Sequence, residues 1–269
     1  MLQFRFAAQS DTGRVRANNE DAGFAGPYLL CVADGVGGAA SGEVASATTS
    51  YVVSARALAH PGMAPVRVLG EAVQEAHEQL VAGVAEDPRR LGMATTLTAV
   101  LTDGERTALA HVGDSRGYLL RAGELSQLTR DHTMVQELVD EGRLAPEEAA
   151  ASPYRNVVTQ AVDAEHSPEP DLLWLTLVPG DRLLLCSDGL SDVLPLPTIR
   201  TVLSQDSRSL AVDHLVRAAL DAGSRDNVTA LVADVVDAAA VVGNGAVLGA
   251  GLDLRNVVDP VAVRPLRTA

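Results

Sequence analysis

Two apolar runs in this chain of 269 residues end abruptly in Asp-Gly: Leu29-Leu30-Cys31-Val32-Ala33-Asp34-Gly35 and Leu183-Leu184-Leu185-Cys186-Ser187-Asp188-Gly189. Each reads as a buried strand that delivers a carboxylate at its end. A charge in an apolar setting is costly unless something pairs it, and two carboxylates presented side by side repel unless a cation lies between them. His111-Val112-Gly113-Asp114-Ser115-Arg116 and Arg225-Asp226-Asn227-Val228-Thr229 repeat the theme at strand edges. One Asp-Gly pair most often marks a turn; four Asp-centred motifs at the ends of apolar strands are hard to explain that way. The chain has no His-x-x-x-His or paired-Cys spacing, which argues against zinc. Carboxylates completed by main-chain carbonyls and water suit the hard ions Mg²⁺ or Mn²⁺, and two such ions roughly 4 Å apart can activate a bridging water and clamp a phosphate. Arg16 is the natural phosphate partner, because its planar guanidinium matches phosphate oxygens. A solvated surface arginine is the plainer reading; the polar run Ala17-Asn18-Asn19-Glu20-Asp21 that follows favours the functional one.

The elements that must position these residues follow from periodicity. Leu2 to Gln9 has strand character. Ser41 is placed as the N-cap of a helix running to about Ala59. A second helix is expected from Pro65 to about Ala85, with Val68, Leu69, Val73, Ala76, Leu80 and Val84 on one face. Ala94 to Leu101 alternates as a strand, Asp103-Gly104 turns into Arg106 to Val112, and Gly117 to Arg121 turns at Ala122-Gly123. Asp131 to Ala151 is helical and charged, broken at Gly142 and restarted at Pro146. Leu172 to Leu177 and Asp181 to Cys186 read as a hairpin about Pro179-Gly180. Helices at about 197–204 and 209–222 precede a last strand, Asn227 to Val236. Residues after about Ala240 show no clear element. Helices and strands are segregated, which predicts helices packed on an antiparallel sheet core.

Composition narrows the functional classes. The chain is long enough to bury roughly three quarters of its unfolded surface. Hydrophobic residues make up 47 % and aromatics only 3 %, too few for a base-stacking platform. With 21 basic and 35 acidic residues, the net charge of −14 lacks the footprint of a nucleic-acid or membrane-surface binder. The N-terminus has no signal-peptide pattern. No stretch reaches the ~20 apolar residues of a membrane span; the nearest, Ala238 to Leu252, is broken by Gly243, Asn244, Gly245, Gly249 and Gly251. A cytoplasmic protein is expected. Cys31 and Cys186 are the only cysteines; a disulfide between them and two buried free thiols are both open, the second favoured. Neither is followed six residues on by the Arg of a Cys-based phosphatase loop, the positions being Gly37 and Asp192.

Taken in order, Thr12-Gly13-Arg14-Val15-Arg16-Ala17-Asn18-Asn19-Glu20-Asp21, Val32-Ala33-Asp34-Gly35-Val36-Gly37-Gly38, Gly42-Glu43-Val44-Ala45-Ser46, Gly92-Met93-Ala94-Thr95-Thr96, His111 to Arg116, Leu128-Thr129-Arg130-Asp131-His132, Cys186 to Leu190 and Asp226 to Thr229 resemble the metal-dependent Ser/Thr protein phosphatases (PPM, type 2C) in their bacterial form. The resemblance runs from about Phe4 to Val236. It implies an α+β fold, a four-layer α-β-β-α sandwich of two antiparallel sheets flanked by helices. It divides the chain into a catalytic domain, 1–237, with a flap at about 131–163, and a Gly/Val-rich tail, 238–269. It further implies two Mn²⁺ or Mg²⁺ ions, with a third in bacterial members. Asp34 would bridge two ions, the carbonyl of Gly35 would bind one, Asp188 and Asp226 would hold the other, and Asp114 with Asp188 would hold the third. Glu20 and Asp21 would order surrounding waters, and Arg16 would bind the substrate phosphate. Phosphoserine or phosphothreonine in proteins would be hydrolysed by direct attack of a metal-bridging hydroxide, reversing Ser/Thr kinases.

Val36 stands where many eukaryotic members carry a His proposed as general acid. His111 is a poor substitute and reads as a structural strand residue. Asn156 lies near the flap position whose carbonyl approaches the third ion in relatives. A catalytically dead binding module on the same fold would lack a metal Asp or the phosphate Arg, and neither is lost. A calcineurin-like phosphoesterase would need histidine motifs that are absent. Phosphorylated proteins and Ser/Thr kinases are the expected partners, and a monomer the expected state.

Overall fold

Runs rich in Val, Leu and Ala become the central strands of a computed structural model that describes residues 1–36, 41–204, 207–241 and 245–261. In chain order the elements are β1 (Leu2–Asp11), β2 (Asp21–Ala25), β3 (Leu29–Val36), α1 (Gly42–Ala59), α2 (Pro65–Glu86), β4 (Ala94–Thr95), β5 (Leu97–Thr102), β6 (Thr107–Val112), β7 (Arg116–Arg121), β8 (Glu124–Gln127), α3 (Met134–Asp140), α4 (Pro146–Ala151), β9 (Val162–Asp163), β10 (Asp171–Leu175), β11 (Arg182–Cys186), α5 (Asp188–Ser191), α6 (Leu196–Leu203), α7 (Arg208–Asp221), β12 (Val228–Asp237) and β13 (Ala246–Gly249). Among the described residues one sheet has the order β1-β12-β11-β7-β8 and the other β10-β6-β5-β3-β2-β13, with β4 joining β3 to β9. Neighbouring strands in both are antiparallel.

Period-two alternation decides which side chain enters which layer. In β11, Leu183 and Leu185 point between the sheets, where they meet Phe4, Leu30, Val32, Leu109 and Leu231. Leu184 and Cys186 point the other way, under Ile199, Leu203, Leu215 and Val216 of α6 and α7. The outer face of the second sheet, through Cys31, Ala99 and Ala110, is covered by Val52 of α1 and Leu69, Val73 and Leu80 of α2. The layers are therefore α-β-β-α. Both cysteines are buried and free, on strands of different sheets. No described helix is long and apolar enough to cross a membrane.

Four expectations are corrected. The segments around Pro179-Gly180 are not a hairpin: β10 pairs with β6 in one sheet, while β11 lies between β7 and β12 in the other. A strand apolar on both faces needs a sheet interior with a helix behind it, which β11 has; Leu172, Leu173 and Trp174 of β10 stay exposed at an edge. Strand β8, sequence ELSQ, was not anticipated because it has no buried face; the Ala122-Gly123 turn, with φ of 50° and 82°, folds it onto β7. Ser41 occupies the N-cap position of α1 in the left-handed region, φ 66°, and makes no side-chain cap bond; its main-chain oxygen accepts from the N–H groups of Val44 and Ala45. Finally, residues after Ala240 are not elementless: β13 and two 3₁₀ turns, Ala250–Leu252 and Leu254–Asn256, follow. Gly37 and Gly38 lie outside the described residues.

Candidate metal centre

Sheet register brings the acids together. Asp21 opens β2 and Asp34 lies near the end of β3, and the two are direct antiparallel partners. Cys186 pairs with Ala230, so Ser187-Asp188 beyond β11 lies beside Asp226 to Thr229 ahead of and within β12. Asp114 sits in the tight connection from β6 to β7, after Gly113 at φ 100°.

The two sheets are joined at Asp21. Its Oδ2 accepts from Ser187 Oγ at 2.7 Å and from Thr229 Oγ1 at 2.6 Å, both from the opposite sheet. Ser187 Oγ also accepts from the Thr229 N–H. Asn227 accepts from the Glu20 N–H at 2.8 Å and donates to the carbonyls of Thr12 and Asn18. Asp34 is held by its main chain: its N–H donates to Thr96 Oγ1 and its carbonyl accepts from Thr95 Oγ1 and the Thr96 N–H. Gly35 donates to the Glu20 carbonyl and packs on Gly42, whose oxygen would lie 2.4 Å from any Cβ at position 35. His132 clasps Gly113, its N–H donating to the Gly113 carbonyl and its Nδ1 accepting from the Gly113 N–H.

The electrostatics are those of a row of like charges. Burial pushes the Asp34 carboxyl well above the usual range, and Asp21, Asp188, Asp114 and Asp226 push it further. Burial does the same to Asp188, reinforced by Asp114, Asp192 and Asp226. Asp114 is raised to about 7 by burial and then by Asp131 and Asp192. Asp21 is raised to about 6 by burial, against the pull of the Thr229 and Ser187 hydroxyls. Asp21 Oδ1 and Asp188 Oδ1 are buried without a hydrogen-bond partner. Arg16 answers part of this charge, its guanidinium 2.6 Å from Asp226 Oδ2 and its side chain 43 % exposed. Glu20 is raised by burial and stands within the fields of Glu43, Arg16 and Asp226.

This arrangement fits divalent cations. The donors are all oxygens, two are orphaned in the interior, and each carboxylate raises its neighbours' affinity for positive charge. Among the described residues no group of three or more His, Cys, Asp or Glu side chains is placed to hold a metal ion by itself; a hard ion here would need main-chain oxygen and water to complete its shell.

Sequence reading missed Asp192, whose N–H donates to the Asp188 carbonyl at 2.8 Å and whose charge faces Asp114 and Asp188. Its spacing of four from Asp188 was the available signal, since residues four apart share a helical face. The segment after α4 reaches the row here: Arg155 lies 3.6 Å from Asp192, and the Asn156 side chain offsets part of the rise that burial gives the Asp192 carboxyl. The bracing hydroxyls of Ser187, Thr229, Thr95 and Thr96 were also missed, being indistinguishable in sequence from strand residues.

His111 is structural. It is fully buried, with Nδ1 on Thr98 Oγ1 at 2.9 Å and Nε2 on the Arg130 carbonyl at 3.0 Å. Burial, then the neighbouring His132, pulls its pKa down to about 4, against ~6.5 in the unfolded chain. The unfolded state therefore binds the extra proton, and this group's contribution is intact above ~6.5 and lost as pH falls toward 4. The loss amounts to about 3 kcal/mol. Asp114 and its neighbours run the opposite way, so the difference between wild type and His111→Gln in urea unfolding at pH 7.5 and 4.5 isolates it; a pH-independent difference would contradict the assignment.

Comparison with known proteins agrees in fold and family. The Protein phosphatase 2C family model matches residues 14–234. The serine/threonine protein phosphatase PstP of Mycobacterium tuberculosis is 49 % identical over 241 residues, covering 88 % of this chain and 46 % of that protein. The chain thus spans about half the length of that relative. Protein phosphatase PhpP of Streptococcus pneumoniae is 36 % identical over 82 % of this chain and 93 % of its own length. A crystal structure of the PstP catalytic domain in complex with two manganese ions superposes with a TM-score of 0.80 at 47 % identity, covering 88 % of this chain and all of that one.

Proposed function

The chain belongs to the protein phosphatase 2C family, and from that membership we propose that it is a metal-dependent protein serine/threonine phosphatase acting on proteins phosphorylated by Ser/Thr kinases. The observation that carries this reading is the buried carboxylate row with its two orphaned oxygens. In this reading Asp34 and the Gly35 carbonyl, with Asp188 and Asp226, hold two Mn²⁺ or Mg²⁺ ions, and Asp114 with Asp188 and Asp192 offers a place for a third. Ions bound in such a row supply acidified water and positive charge against phosphoryl oxygens.

The protein's own residues do the positioning. Asp21, fixed by Ser187 and Thr229, keeps β2 and β11 in the relation that places Asp34 beside Asp188. The partly exposed fork of Arg16 binds the phosphate and offsets charge on the transferring group. Residue 36 is valine and supplies no proton to the leaving alkoxide. The catalytic unit is 1–237 with its flap at about 131–163. The test is hydrolysis of a phosphothreonine peptide with and without Mn²⁺. Wild type should turn over only with metal, and Asp188→Asn should not; Arg16→Ala should raise KM by about tenfold or more, the worth of one charge-assisted contact. Metal-independent turnover, or full activity in Asp188→Asn, would refute the proposal.

A further inference from the structure

The family match ends at residue 234, yet the chain after it is built into the metal centre's scaffold. Strand β13 adds to the outside of β2, from Ala246 opposite Ala25 to Gly249 opposite Ala22. Gly249, at φ 58°, presses so closely on the first residue of β2 that a Cβ there would stand 2.0 Å from the Asp21 carbonyl oxygen and 3.1 Å from Ser10 Oγ. Ala250 and Val257 are buried with Ala22 of β2 and Ala47 of α1, with Tyr51 packed alongside. Thr48 on α1 donates to the Asn256 carbonyl and accepts from the Val258 N–H, and Tyr51 donates to the Pro260 carbonyl at 2.7 Å.

Without β13, β2 would lie at the edge of its sheet. It carries Asp21, which faces Asp34 across the register and shares in the mutual repulsion of the row. An edge strand opens more readily than an interior one, and like charges lend a force for opening. The C-terminal segment converts β2 to an interior strand and ties it to α1, whose first residue, Gly42, packs on Gly35.

We propose that residues 245–261 are a strap that positions β2 and α1 for metal binding, so that strap docking and cation binding are thermodynamically coupled. The inference rests on the metal reading of the site. Coupling is reciprocal: what the strap does for the metal, the metal does for the strap.

Val257→Asp, in the full chain, places a charge where Val257 is buried, at a residue that is not itself a proposed ligand. Titration calorimetry with Mn²⁺ alone should show its Kd raised by about tenfold, within the usual range for coupled sites. Hydrogen exchange should show β13 and β2 less protected in the variant, and β13 of wild type more protected when Mn²⁺ is added. A strap released by exchange but with unchanged Mn²⁺ affinity, or β13 protection indifferent to Mn²⁺ in wild type, overturns the strap alone. Wild type that binds no Mn²⁺ overturns the metal reading and the strap with it. If Val257→Asp fails to fold in EDTA, Thr48→Val removes two strap hydrogen bonds and should move both readouts the same way by less; no movement there also overturns the proposal.

Discussion

Asp34→Asn is expected to abolish metal-dependent turnover while raising the melting temperature in EDTA. The two effects have opposite signs because one carboxylate is an asset with cations and a liability without them. Burial and four neighbouring aspartates hold the Asp34 pKa well above its unfolded value. An acid whose folded pKa is raised destabilises the fold at any pH above its unfolded value of ~3.9. Asparagine keeps the shape and removes that cost, and each kcal/mol relieved should appear as about 2–4 °C. The gain should shrink as pH falls toward 4 and vanish below it, where wild-type Asp34 becomes neutral in both states. Added Mn²⁺ should stabilise wild type and not the variant. Turnover should fall by about 10³-fold or more, as when an electrostatic group at a reacting centre is removed. A variant that melts earlier in EDTA, or that retains Mn²⁺-dependent turnover, would show that the carboxylate row is misread.

The second expected result is that Gly189→Ala destabilises the protein and lowers activity, against the local rule. Gly189 lies inside α5 with no positive φ, where alanine should gain about 1 kcal/mol on helix propensity. The Asn227 carbonyl oxygen, however, would stand 2.0 Å from the new Cβ and its carbon 3.1 Å away. Both are main chain, so relief means moving the segment whose Asn227 side chain holds Glu20, Thr12 and Asn18 and whose Asp226 belongs to the row. Overpacking of this kind costs about 1–3 kcal/mol or more, so the tertiary effect wins by roughly 1–2 kcal/mol in urea unfolding. Gly70→Ala is the control: in α2 it meets only the tip of the Leu172 side chain, at 3.1 Å, and the helix preference should prevail. Equal gains at 189 and 70 would show that the approach of Asn227 yields without cost.

These two positions show how the sequence and the fold divide the information. That Asp34 and Asp188 stand out was legible because charge at the end of an apolar run is expensive, and the structure buries both in one row of acids. The long helices α1 and α2 and the central strands were legible for a related reason: their apolar periods match one element each. The ordered motifs from Thr12 to Thr229 added the family and with it the layering. What stayed hidden depends on partners distant in sequence. Nothing local tells that β10 and β11 part company across Pro179-Gly180, since pairing is chosen by what lies beside each strand. The polar strand β8 exists because a turn and a neighbour supply its hydrogen bonds. Asp192, Ser187 and Thr229 became site residues only when β12 came to lie against β11 and both met Asp21. The Gly/Val-rich C-terminal segment has too little periodicity to declare itself, and becomes strand and strap because the open edge of β2 and the small side chains of Ala22 and Ala47 leave a place of its shape. Residue chemistry thus determined which strands would carry a carboxylate at an apolar end; only the tertiary structure decided how closely those carboxylates stand and what holds them there, because repulsion between carboxylates is set by distance, and distance by long-range pairing.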